Sequence, residues 1–554
     1  MTPRFTVVTS VFDPDPAHLA ACLASVDVQT LPDWEHVVVD DASTDPRVDA
    51  LLAAGAAERR RRVVRRSRNG GIVAAGNDAL RAAAGAHVVL LDHDDVLAPN
   101  ALERFAHAIA AAEPAVVDVL YSDHDLIRPD GRYVSPVYKP DFSPERLRNH
   151  NYITHLVAVR RELVARLGGF RAGFDGAQDH DLLLRATEGR RVVVHVPEIL
   201  AHWRQSPASV ASDTGNKPAA YTAGAHAVAD QLARLGVAAD VVPGAFDGVY
   251  RVRRRVSGEP LVSVVIPTRG ATGRVWGCGR VFVHDAVASL VADDTLTSRL
   301  ELVVVLDPAP PVVEAGLRRI VEARLPPERL VVVPYERPFN FPDKIATGVA
   351  AASGDYVLLL NDDTELAVPG SVDEMVGLAQ QPDVGMVGAK LLYDDGTLQH
   401  GGHVYNGTID HAFRGWPGEH PGPQRMLAVE RECAGVTAAA ALLRRDVFDE
   451  VGGMTADLPV NYNDVDLALR VRASGRRIVW TPHAAWYHFE SRTRSHPIED
   501  WEVERLLARW PGALSADPYG NPNLLPGRAD WLERPGRSGA PPCVVLPDGG
   551  VSWA

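Results

Sequence analysis

Apolar residues in the first part of the chain come in short runs that end in carboxylates. Phe5–Thr9 reads as a buried strand, Pro14–Val28 carries apolar positions at helical spacing, and His36–Val39 is a second strand ending at Asp40 and Asp41. Val88–Leu91 is a third, ending in Asp92-His93-Asp94-Asp95. Strand, helix, strand alternation predicts a mainly parallel sheet with helices on both faces, whose ligands bind beyond the carboxyl ends of the strands. The acidic clusters fall at that edge.

The plan then restarts. Leu261–Ile266 repeats the first strand, Leu302–Leu306 the second, ending at Asp307, and Tyr356–Leu360 the third, ahead of Asn361-Asp362-Asp363. Leu167-Gly168-Gly169-Phe170 precedes Gln178-Asp179-His180-Asp181-Leu182, as Val451-Gly452-Gly453-Met454 precedes Asn463-Asp464-Val465-Asp466-Leu467. The order and approximate spacing are kept, which predicts a duplication of a whole α/β domain: 1–250 and 260–495. Arg251–Gly258 and Pro260 read as the connection. Residues 496–554, with Pro-Gly-rich stretches at Pro511-Gly512, Pro522–Gly527 and Pro535–Pro542, read as an extension that wraps one domain or is partly disordered.

A chain of 554 residues with 46% hydrophobic composition suits two or three ordinary domains. The net charge of −14 argues against nucleic acid as a partner and requires any anionic ligand to be held locally. Cys22, Cys278, Cys433 and Cys543 form no CxxC pair, which speaks for a reducing compartment without structural zinc or disulfides. With no signal-peptide pattern and no apolar run of spanning length, the expectation is a cytoplasmic protein that at most rests on the inner face of a membrane. The arginine run at Arg59–Arg62, Arg65, Arg66 and Arg68 reads as a solvated loop or helix end, or as a phosphate-steering or membrane-surface patch.

Asp92, Asp94 and Asp95 follow directly on an apolar strand, where three carboxylates repel one another unless water or a cation compensates. Hard divalent ions, magnesium or manganese, take oxygen ligands and can be shared with a diphosphate. A lone Asp-x-Asp is more often a capped turn, but here the motif lies at a strand end, a second acidic pair lies at an earlier strand end, and both recur.

Both halves resemble family 2 glycosyltransferases with the nucleotide-sugar-binding GT-A fold. The first does so through Val7-Val8-Thr9-Ser10, Val39-Asp40-Asp41-Ala42-Ser43, Asn69-Gly70-Gly71, Leu91-Asp92-His93-Asp94-Asp95 and Gly176-Ala177-Gln178-Asp179-His180-Asp181. The second does so through Val265-Ile266-Pro267-Thr268-Arg269, Phe339-Asn340-Phe341, Leu360-Asn361-Asp362-Asp363-Thr364-Glu365 and Asn461-Tyr462-Asn463-Asp464-Val465-Asp466. The resemblance implies that Asp40 or Asp41 recognises the base and ribose, within a donor site of Thr9, Asp40, Asp41, Asn69, Gly71 and Asp92. It implies Asp92 and Asp94 as metal ligands with His202 close by, and Asp179 as catalytic base. Asp181, two positions on, would face elsewhere, toward a structural partner. In the second half it implies Pro267, Thr268, Arg269, Asp307 and Lys344 on the donor side, Asp362, Asp363 and His488 at the metal, and Asp464 as base. Asn361 stands where Asp92 stands, and Asp307 stands alone, so metal affinity and base recognition there can differ. The implied activity is metal-dependent inverting transfer of sugars from UDP-, dTDP- or GDP-sugars to an oligosaccharide or lipid-linked glycan of a bacterial-type surface polysaccharide.

The Gly- and Arg-rich segment Ala271–His284 enlarges the first loop of the second domain, as part of a donor pocket or as a tolerated insertion. Tyr152, His155, Trp203, His400, His403, His411, Phe413, Trp416 and Trp486 are candidates for lining acceptor clefts, although each taken alone reads as core. The spacing of His400, His403 and His411 does not make a convincing zinc site. Two rival functions remain. Sugar-nucleotidyl transfer would need a glycine-rich basic loop that Thr9–Pro16 lacks, and a second domain without turnover would serve as a glycan-binding or assembly module.

Overall fold

The computed structural model describes residues 3–56, 59–204, 217–489 and 498–534, with the backbone of strands Cys543–Val545 and Val551–Trp553. Pro535–Pro542 and the expected boundary near residue 495 lie outside the described residues. Two large mixed sheets dominate. The first runs Arg61–Arg65, Trp34–Asp40, Phe5–Val11, His87–Leu90, Val157–Arg160, Val119–Ile127, Val193–Arg204, Val96–Leu97 from edge to edge. The second runs Leu330–Pro334, Arg299–Leu306, Leu261–Thr268, Tyr356–Leu360, Ala440–Arg444, Val384–Leu392, Arg477–His488, Thr364–Leu366. The two orders are the same permutation of the chain, so the repeat read from strand ends holds at the level of topology.

The first four strands of each order are parallel, and the fifth enters antiparallel. Central strands of near-continuous Val, Leu and Ile are what burial on both faces selects. Val37, Val38 and Val39 are fully buried, as are Val303, Val304 and Val305. Helices begin where the sequence offers caps: Asp15 Oδ1 accepts from Ala17 N ahead of Pro16–Asp27, and Asn340 accepts from Asp343 N ahead of Phe341–Ala351.

Two expectations are corrected, and the connecting segment gains a structure. The arginine run is only partly loop: Arg59 and Arg60 lie in a turn and Arg66 and Arg68 in a loop, but Arg61–Arg65 is the edge strand of the first sheet, with Arg61 buried against Leu23 O and Asp27. The segment read as the connection begins in a strand, Tyr250–Arg254, which pairs with Ala239–Pro243 and carries Arg254 into the domain interface. There Glu145, in the short helix Pro144–Asn149, meets Arg148, Arg254 and Arg477, while Glu430 takes Arg254 and Glu432 takes Arg477. Finally, residues 498–534 bind both domains. Helix Asp500–Arg509 opens with a capping box, Trp510 Nε1 donates to Asp466, Asp517 accepts from Tyr405 N, and Asn521 reaches Asp123 and the Lys139 carbonyl in the first domain. Among the described residues no helix is long and apolar enough to cross a membrane.

Candidate functional site

The parallel strands of the first sheet deliver their acidic ends to one edge. Asp40 is fully buried; its Oδ1 accepts from Ser43 N at 2.9 Å and its Oδ2 lies 3.3 Å from Arg65. Asp41 binds a loop: its carboxylate accepts the amides of Gly70 and Gly71 and pairs with Arg66. Asn69 Oδ1 also accepts from Gly71 N, at 3.0 Å, and Gly71 has φ 84°, a conformation glycine adopts without strain. A Cβ on Gly70 would stand 2.2 Å from a guanidinium nitrogen of Arg66, so that residue too must be small for the arginine to reach Asp41. Asp41, Asn69 and Gly71 thus form one structured corner. Thr9 does not join it through its hydroxyl, which is spent inside the sheet on His36 Nε2 at 3.1 Å.

At the next strand end the structure gathers Asp92, Asp95 and His155, one ligand atom of each lying within 4.8 Å of the others. Asp95 Oδ2 is buried without a hydrogen bond, 3.2 Å from His155 Nδ1. Burial, reinforced by the charges of Asp92 and Asp94, pushes the Asp95 carboxyl well above its usual range. Asp94, whose carbonyl accepts from Arg204 Nε, is not in this group. Neither is His202: its Nδ1 is 2.6 Å from Asp125, and its ring packs edge-on against Tyr133. Asp179 stands in the first turn of helix Gln178–Ala186, where the helix dipole favours a carboxylate, and its Oδ2 accepts from Asn151 Nδ2 at 3.0 Å. Asp181 turns away into Arg171 and Arg185.

The second sheet builds its corner differently. Lys344, buried in helix Phe341–Ala351 over the rings of Tyr335 and Phe339, places Nζ 2.5 Å from Asp307 Oδ1 and 3.5 Å from the Thr268 carbonyl. Thr268 Oγ1 in turn donates to Asp362 Oδ2 at 2.6 Å. Asp307, Lys344, Thr268 and Asp362 therefore form one connected group, beside which Pro267 is buried and Arg269 exposed. Asp363 lies 3.2 Å from His488 Nε2, and His488 Nδ1 lies 2.6 Å from Gln399 Oε1. Asp464 again occupies a helix's first turn, accepting from Val465 N and Ala438 N, and Asp466 is held by Thr455, Arg470, Arg509 and Trp510. Here the described residues contain no carboxylate-bearing group of three ligands.

The model of glycosyl transferase family 2 matches residues 6–168, and that of glycosyltransferase-like family 2 matches residues 260–513. Two family 2 glycosyltransferase domains stand in tandem here. The y4gI protein of Sinorhizobium fredii is 39% identical over 547 residues, which is 96% of this chain and 58% of that one. The O-antigen biosynthesis protein RfbC of Myxococcus xanthus is 37% identical over 530 residues, 94% of this chain and 40% of its own. The chain thus spans about half the length of these relatives. The solved S. aureus TarS 1-349 in complex with UDP-GlcNAc aligns with a TM-score of 0.34 at 20% identity, over 41% of this chain and 66% of TarS.

Within the two transferase domains, several site neighbours were beyond sequence reasoning. His155 reaches the first acidic corner from the start of strand Val157–Arg160, which pairs antiparallel with His87–Leu90, and no spacing links it to Asp92. Asn151 and Arg66 likewise follow from loop paths. The zinc dismissal is revised in one respect: His400, His403 and His411 do meet, within 4.8 Å, because the turn at Gly401-Gly402 and the hairpin after it bring them together. Of the residues considered for acceptor clefts, Tyr152, Phe413 and Trp486 are core, at 2%, 1% and 0% exposure, whereas Trp203 stacks on His155 at 5.4 Å beside the first corner.

Proposed function

We propose that each domain transfers a sugar from a nucleoside-diphosphate donor to a growing surface glycan, with inversion and with a divalent ion in the donor site. The observation that carries this reading is the doubled architecture. One strand order twice brings an acidic strand end and a first-turn aspartate, Asp179 or Asp464, onto the same sheet. The donor set in the first domain fits a metal, since two carboxylates, one with a buried oxygen lacking a hydrogen bond, converge with an imidazole. When bound, magnesium or manganese supplies compensation for charge developing on the leaving diphosphate.

The protein's own residues do the rest. Asp41, braced by Arg66 and the Gly70-Gly71 amides, shapes the nucleoside corner in the first domain; Asp307 with Lys344 does so in the second. The Asp179 carboxylate takes the proton of an acceptor hydroxyl. That oxygen bonds to the anomeric carbon from the face opposite the diphosphate, the carbon–phosphate-oxygen bond breaks, and the nucleoside diphosphate leaves, so configuration inverts. Asp464 has the same task in the second domain. A UDP-, dTDP- or GDP-sugar donor, a lipid-linked acceptor and a cytoplasmic site at the inner membrane face complete the reading, in keeping with the name of the RfbC relative.

A second reading, with the second domain as a non-catalytic glycan-binding module, is favoured by one observation: Asp362 is already bonded to Thr268, and Asp363 lies against His488. Calorimetric titration with UDP-, dTDP- and GDP-sugars plus manganese, on wild type, Asp92→Ala and the pair Asp362→Ala, Asp363→Ala, separates the two. Loss of a distinct metal-dependent event in each variant supports two donor sites. Sensitivity to Asp92 alone leaves one transferase and a module. No metal-dependent binding by the folded protein refutes the proposal.

A further inference from the structure

His400 ends strand Leu398–His400, and His403 and His411 are cross-strand partners in the hairpin His403–Tyr405, Ile409–His411. The three ring centroids are 4.7 to 5.1 Å apart, with planes crossing at 76 to 80°. Rings so placed can hold a metal or fix a pattern of hydrogen bonds, and proton counting distinguishes the two. The Thr437 N–H donates to His400 Nε2 at 3.3 Å, so that nitrogen carries no proton. A neutral His400 then bears its proton on Nδ1, which is 2.8 Å from His411 Nδ1. His400 Nδ1–H therefore donates and His411 Nδ1 accepts, which leaves the His411 proton on Nε2. A metal on His400 Nδ1 would force a proton onto Nε2, donor against donor with the Thr437 amide.

Both rings are neutral in the ordinary pH range. Burial, with the neighbouring histidines adding to it, pushes His411 down to about 3 and His400 well below its usual value. The location is telling. The Thr437 amide that donates to His400 is followed in the chain by the Ala438 amide, which donates to Asp464 Oδ2 at 3.3 Å, and the Asp464 charge acts on His411. His400 is fully buried, whereas His411 is half-buried.

Resting on the reading that the second domain turns over, we propose that His411 is a positioning residue, whose Nε2–H donates to a hydroxyl oxygen of the sugar bound beside Asp464. His400 and the Thr437 amide lock the tautomer. A hydroxyl can give its proton to Asp464, accept from His411 on one lone pair and attack with the other. The arrangement fixes the direction of attack without adding charge.

The test uses the full chain. Long-range nitrogen–proton spectra of histidine-labelled protein should show His411 as the Nε2–H tautomer, which His400→Leu randomises; an Nδ1–H form in wild type overturns the proposal. Nucleoside diphosphate release is then followed with UDP-, dTDP- and GDP-hexoses and alkyl glycosides as acceptors. His411→Leu should raise the acceptor KM of the Asp464-dependent reaction at least tenfold with a smaller change in kcat, and His411→Gln should restore part of it. An unchanged KM in folded His411→Leu refutes the positioning role while Asp464→Asn still abolishes that reaction. If Asp464→Asn leaves product undiminished, the catalytic reading falls and takes this one with it. One equivalent of zinc that copurifies and is lost in His411→Leu overturns it in favour of a metal site.

Discussion

Glu145→Ala is the substitution whose cost can be worked most directly. The domain interface sets three guanidiniums, Arg148, Arg254 and Arg477, against three carboxylates, Glu145, Glu430 and Glu432. Burial pushes the Glu145 carboxyl up, but the three arginine charges outweigh it and hold it below the usual range. With Glu145 gone, Arg254 keeps Glu430, and Arg477 keeps Glu432 and Asp383. Arg148, with a side chain 8% exposed, loses its carboxylate and keeps only neutral acceptors among these contacts, the amide oxygens of Gln231 and Gln381. An orphaned buried charge of this kind costs about 3–5 kcal/mol. Urea denaturation followed by tryptophan fluorescence should show the first transition moved by that amount, and the double variant Glu145→Met, Arg148→Met should recover most of it, since removing both partners leaves no charge unpaired. A Glu145→Ala protein within about 0.5 kcal/mol of wild type, or a double variant as unstable as the single, would show that the network does not join the domains as described.

Asp179→Asn and Asp464→Asn should each slow one transfer by about 10²–10⁴, the usual share of a general base, with little change in thermal stability; radiolabelled-sugar incorporation separates the two reactions. Asp41→Ala removes the acceptor of two loop amides and the partner of Arg66, and donor affinity of the first site by calorimetry should fall at least tenfold while the second site is unchanged. Burial pushes His403 and His411 down to about 3, so the unfolded chain takes up their protons first. Stability from these groups is complete above about pH 6.5 and lost as pH falls toward 3, at up to about 1.4 kcal/mol per pH unit per group; His403→Gln should flatten the slope of urea midpoints between pH 7 and 4.5, and an unaltered slope would contradict the assignment. Chelator treatment should abolish donor binding at the Asp92 corner, with recovery on adding manganese.

Much of the architecture was legible because it is written in local, periodic signals. Buried parallel strands must be continuous runs of branched apolar residues, and Val37–Val39 and Val303–Val305 announce themselves as such. The duplication showed because each run ends in carboxylates, and the first-turn aspartates Asp179 and Asp464 follow conserved-order anchors within the chain itself. What the sequence could not decide is which side chains converge from distant elements. The family resemblance grouped Asp41 with Asn69, but nothing in the sequence joins Asp95 to His155, a meeting that depends on how strands far apart in the chain are ordered in the sheet, or His400 to His411, which depends on the path of one turn and hairpin. The arginine run misled for a related reason, and the interface role of Arg254 was hidden by it too. A charged stretch reads as solvated until tertiary packing supplies carboxylates to neutralise it, as Asp27 does for the buried Arg61 and Glu145 and Glu430 do for Arg254. Local patterning determined the elements and their repetition; the long-range pairing of charges and imidazoles was decided only when the sheets closed against each other, since burial makes each such group depend on its partner.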